Sequence, residues 1–197
     1  KADLVAMARL FRRYVPMLYS IAAYFGCFIA VEASEVALIM GGEKFQNATS
    51  AIMIMALYPV HQTYGQLSGT IFYATGQTKL ISKIRIIFFI IGLPLTYFLI
   101  APTNVMGLNL GANGLAIKMV VLQFVIVNVQ LYYNARFLSL RFSRYFIHQV
   151  GTLGVMLGLA FTSDLVVNSS LAVNDFQEYT YSAGVTDDGI GDPLPEF

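Results

Sequence analysis

His61 and Gln62 stand side by side in a long apolar run, and with Tyr58, Gly65 and Gly69 they fall within an arc of about 100° at about 100° per residue of helix. Gln123, Gln130 and Asn134 recur at spacings of seven and four, which also puts three amides on one helical face. Lys118 is a lone cation in the same apolar stretch, turned roughly 140° away from those amides at about 100° per residue. In an apolar medium such groups must find partners. They can bond to one another across helices or hydrate a polar cargo in an aqueous cavity, and Lys118 can either snorkel toward an interface or meet an anionic headgroup. All six residues, His61, Gln62, Lys118, Gln123, Gln130 and Asn134, are therefore candidates for lining a substrate cavity.

Other chemistry is missing. No Ser/His/Asp grouping, metal-ligand cluster or Gly-rich phosphate loop occurs, and His61 and His148 are placed too differently along the chain to suggest a shared metal. The outer loops are too short to hold a catalytic domain. The residues thus argue against an enzyme and imply no cofactor and no nucleic-acid partner. Glu32 and Glu35 close the first apolar run, where they can either reach headgroup water or act as a proton or cation site. Asn47-Ala48-Thr49 and Asn168-Ser169-Ser170 match glycosylation acceptors, a short pattern that arises by chance.

The elements that position these residues follow from the charges. No Asp or Glu occurs between Phe45 and Ser163. The basic residues are bunched as Arg9, Arg12 and Arg13, then Lys79, Lys83 and Arg85, then Arg136, Arg141 and Arg144. The chain is 57% hydrophobic and 12% charged, with a mean hydropathy of +0.66. That composition describes an all-α, polytopic membrane helix bundle. A hydrocarbon core of roughly 30 Å needs about 20 helical residues. Five spans are expected, at about 14–31, 46–73, 84–100, 112–133 and 149–167. Residues 1–13 then form a cytoplasmic basic segment, and 168–197 an acidic, external and disordered tail. Because basic clusters flank alternate ends of the spans, those loops are expected in the cytoplasm, and the protein in the inner (plasma) membrane.

Within the spans, Pro59 and Pro94 should bend their helices. Gly65 with Gly69, and Gly151, Gly154 and Gly158, mark expected close-packing faces. Cys27 is the single cysteine, so no disulfide framework can form within the chain. The chain begins with Lys1 and no signal-peptide pattern, and is expected to be a fragment with earlier helices missing.

Four segments resemble one family. Glu35 to Phe45, followed by Ala48, resembles the "EvxxllxGexFxxA" stretch of polysaccharide flippases. Tyr73-Ala74-Thr75-Gly76-Gln77-Thr78-Lys79 is similar to their "ATGxTK" turn. A proline-containing span follows. Leu108 to Ala116 then resembles the family's "lGlxGaxGlAia" start of the next helix. The order and spacing match from about Ala8 to Ala160. The chain thereby resembles the Wzx-type polysaccharide (O-antigen/oligosaccharide) flippases, within the wider group that holds MATE multidrug exporters and the lipid II flippase MurJ. The resemblance implies one half, the C-terminal one, of a two-half bundle around a central cavity, whose partner is the missing N-terminal half. It implies movement of an undecaprenyl-diphosphate-linked oligosaccharide between leaflets by alternating access, with Lys118 or the cytoplasmic arginines meeting the diphosphate. Family members carry further spans where this chain has its acidic tail. A cation-coupled multidrug exporter would need a carboxylate deep in a span, which the middle spans lack. A membrane-embedded glycosyltransferase or polymerase would need a long outer loop.

Overall fold

The computed structural model describes the backbone of residues 3–185 and the side chains of residues 3–170. The molecule is all-α. Its elements are α1 (Leu4–Val31), α2 (Ala33–Gly41), a 3-10 segment (Glu43–Ala48), α3 (Thr49–Met55), α4 (Tyr58–Ala74), α5 (Thr78–Ile100), a short 3-10 turn (Thr103–Val105), α6 (Gly111–Phe137) and α7 (Phe142–Val185). Two compact units divide the chain, Lys1–Ala160 and Phe161–Phe197, and within its described residues the second consists of the remainder of α7.

Among the described residues four helices are long and apolar enough to cross a membrane: α1, α5, α6 and Phe142–Ser170 of α7. Their surfaces point to lipid as the solvent. Only 11% of the apolar window of α5 is buried, and Ile86, Phe89, Ile90 and Leu93 lie exposed along it. The span expected at 46–73 is not one helix. It breaks at Ala56 and Leu57 into α3 and the 17-residue α4. Pro59 accounts for the break: it has no N–H to continue the ladder, and it is favoured in the first turn of a new helix. In contrast, α1 and α5 run on through Pro16 and Pro94.

The chain end also differs from expectation. α7 continues past Val167 to Val185, so the tail expected to be disordered from residue 168 is helical over its first part. The rest of that tail, residues 186–197, lies outside the described residues.

Local chemistry sets the helix boundaries. The Asp3 carboxylate accepts from the N–H groups of Val5 (3.1 Å) and Ala6 (3.0 Å) and so caps α1. Gly76 ends α4 with a left-handed φ of 72°, while Gln77 N–H donates back to the Phe72 carbonyl at 2.8 Å. That closure needs a residue without a Cβ penalty, which is the physical content of the glycine in the Ala74-Thr75-Gly76 turn. Ser139 takes the same role after α6 with φ 54°, and Leu140 N–H reaches the Ala135 carbonyl at 2.7 Å.

The core of the first unit forms where α4 packs between α1 and α6. α1 contributes Phe11, Val15, Tyr19, Ala23 and Cys27, a strict i, i+4 stripe of buried residues. Gly26 is a close approach of α1: a Cβ there would lie 2.8 Å from the Ala56 carbonyl oxygen and would strike Val60. Gly65 brings α4 against Val127 and Gln123 of α6, whereas a Cβ at Gly69 would meet its nearest neighbour at 3.7 Å, an ordinary contact. The expected glycine seam on α7 is not used in this way: a Cβ at Gly151 or Gly154 would find nothing within 4 Å.

Candidate functional site

Polar side chains collect in two places within the first unit. The first is at the basic end, where the start of α1 meets the turn from α6 into α7. Arg12, Arg141 and Arg144 line a pocket of about 650 Å³ together with Ser139, Ser143 and Tyr145. α1 places Arg12 one residue after Phe11, whose ring stacks edge-on against Tyr145 at 5.5 Å. The turn closed by Ser139 sets Arg141 and Arg144 opposite. Pro16 has no N–H to offer the Arg12 carbonyl, so that acceptor is also released from the helix ladder near the pocket. Residues 45–163 contain no carboxylate, and Asp3 is occupied capping α1. Three guanidiniums with serine hydroxyls form an arrangement suited to a multiply charged oxyanion, because guanidinium groups bond such oxygens bidentately.

The second place is where the middle of α1 meets the first half of α4 and the first turns of α7. Tyr19 is fully buried, with the Tyr64 ring edge-on at 4.7 Å and the rings of His148 and His61 at 6.0 and 6.3 Å. The Tyr64 hydroxyl lies 3.4 Å from His148 Nδ1. Close by, Asn128 Nδ2 of α6 donates to Gln149 Oε1 of α7 at 3.2 Å. Several buried atoms here have no protein partner, including the Tyr19 hydroxyl, His61 Nδ1, Asn128 Oδ1 and Gln149 Nε2. Native interiors hold few such atoms.

The six candidate cavity-lining residues fall in several places. His61 is buried between Tyr19 and Phe124, the latter ring at 5.0 Å, and Gln62 beside it is half-buried. Asn134 donates to the Ser68 carbonyl at 3.0 Å, and Gln123 packs at Gly65, so that amide face serves the α4–α6 interface. Gln130 is buried on the same face with its Oε1 unpartnered. Lys118 lies on a different side, against Gly92 of α5. None of the six lines the arginine pocket.

His61 and His148 stand far apart along the chain, yet both rings face Tyr19. Tyr19, Tyr64, Asn128 and Gln149 complete the cluster. For Tyr19 a signal existed, its place in the i, i+4 stripe of α1; the others become visible only when the helices are assembled. Among the described residues no group of three His, Cys, Asp or Glu is placed to hold a metal. The chain matches no family model, no curated protein and no solved structure.

Proposed function

We propose that this chain is part of a membrane transporter that flips an undecaprenyl-diphosphate-linked oligosaccharide across the cytoplasmic membrane by alternating access, as in polysaccharide or O-antigen assembly. The observation that supports the reading is the pocket of Arg12, Arg141 and Arg144, which lies at the end of the bundle that carries the basic clusters. On the positive-inside pattern that end faces the cytoplasm, where such a cargo is made. A diphosphate presents several anionic oxygens and suits several guanidiniums better than one. The helix break before Pro59 and the close α1–α4 contact at Gly26 give the bundle joints about which halves of a transporter could rock.

The test replaces Arg12, Arg141 and Arg144 together by Gln in the full-length protein and measures flipping of the lipid-linked glycan in vesicles. A loss of about tenfold or more at unchanged abundance is expected, since each charge-assisted hydrogen bond is worth roughly that factor. Undiminished flipping would remove the pocket from the mechanism.

A further inference from the structure

Tyr19 and Tyr64 stand between two histidines from different helices. His148, half-buried, has the Tyr64 hydroxyl 3.4 Å from Nδ1 and the Thr152 hydroxyl 3.5 Å from Nε2. His61, only 4% exposed, holds an unpartnered Nδ1, and the fully buried Tyr19 between the two holds an unpartnered hydroxyl. The other titratable neighbours are few. Cys27 of α1 faces Tyr19, and Tyr145 of α7 faces Tyr64, with Arg12 and Arg144 beyond it at the basic end. α6 offers Phe124 and Asn128, neither of which titrates. No carboxylate exists anywhere between residues 45 and 163 to take over the role of these imidazoles.

We propose that His61 and His148, with Tyr19 and Tyr64 between them, form an interior proton-binding site in which one proton is shared between the two imidazoles. Neutral His148 can accept the Tyr64 hydroxyl hydrogen at Nδ1 while its Nε2–H donates to Thr152. A proton added at Nδ1 turns that nitrogen into a donor. The Tyr64 oxygen takes that proton as its own hydrogen passes to the Tyr19 oxygen, and the Tyr19 hydrogen passes to His61 Nδ1. Both tyrosines and His148 end neutral, and the single positive charge rests on His61. No hydrogen bond joins the two tyrosine hydroxyls in the present arrangement, so the handover requires α1 to shift against α4 and α7. Proton position and helix arrangement are thereby linked. The site itself needs no particular cargo; only the identification of that shift with a transport step rests on the transporter reading.

The experiment is a nuclear magnetic resonance titration of isotope-labelled histidine in the full-length chain in lipid nanodiscs. Each imidazole is expected to change protonation within the titrated range, and the two to do so in a coupled manner. His148→Gln is expected to move the His61 midpoint by about half a pH unit or more. Tyr19→Phe and Tyr64→Phe keep both rings and the packing, and each is expected to weaken that coupling. The proposal is overturned if neither histidine titrates, or if His61 keeps its midpoint in all three variants. Flipping measured on the same samples separates the two readings: a coupled titration without flipping supports the site and counts against the flippase alone. Flipping without a coupled titration overturns the site alone.

Discussion

Asn134 shows what a polar residue does at the centre of this bundle. Its side chain is 1% exposed and donates to the Ser68 carbonyl of the neighbouring helix at 3.0 Å. In an apolar surrounding the amide has no water to fall back on, although the unfolded chain in a membrane also finds partners, which limits the gain. Asn134→Ala is therefore expected to cost about 0.6–1.7 kcal/mol, read as a lowered unfolding midpoint in detergent. An unchanged midpoint would mean that the Ser68 carbonyl is satisfied within its own helix and the bond adds nothing. Threonines behave differently. Thr63, Thr70 and Thr75 turn their hydroxyls onto the preceding turn of α4, at 3.1, 2.9 and 2.7 Å, which satisfies them without help from another helix.

At the scale of elements, the spacing of helices is decided by which glycines are truly in contact. Gly26→Ala pushes a methyl group into Val60 and the Ala56 carbonyl, a backbone atom that cannot swing away. A loss of about 1–3 kcal/mol is expected from such overpacking. Gly69→Ala meets its nearest neighbour at 3.7 Å and should be neutral, or stabilising by up to about 1 kcal/mol through helix propensity. Thermal unfolding of the two variants side by side checks the pair, and equal effects would show that α1 and α4 are not in tight contact at Gly26. The sequence marked Gly65 and Gly69 as equivalent members of one motif. They differ because the crossing of α4 over α6 brings only Gly65 against Val127 and Gln123.

For the molecule as a whole, the charge pattern makes a topological prediction. Cysteines placed at Thr78, at the start of α5, and at Ser143, at the start of α7, should both be labelled from the cytoplasmic face and from that face only. Native Cys27 is fully buried and should stay silent in the same assay. Labelling of either introduced cysteine from outside would invert the orientation and count against the proposed transport reading.

Helix content, apolar helices of spanning length and the gathering of Lys and Arg at alternate span ends could all be read from the chain alone. Each follows from local composition: hydropathy over about 20 residues and the exclusion of charge from hydrocarbon do not depend on which helix touches which. The break before Pro59 was legible only as a bend, since a proline may kink a helix or start one, and packing chooses between them. The candidate sites were less legible. Periodicity groups residues on one helix, and so it joined Gln123, Gln130 and Asn134, which the α4–α6 interface then absorbed in part. It has no means of joining Arg12 to Arg144, or His61 to Tyr19 and His148, because those meetings are contacts between helices distant in sequence. Which polar residues face one another is settled by crossing geometry, and that exists only once the helices have packed.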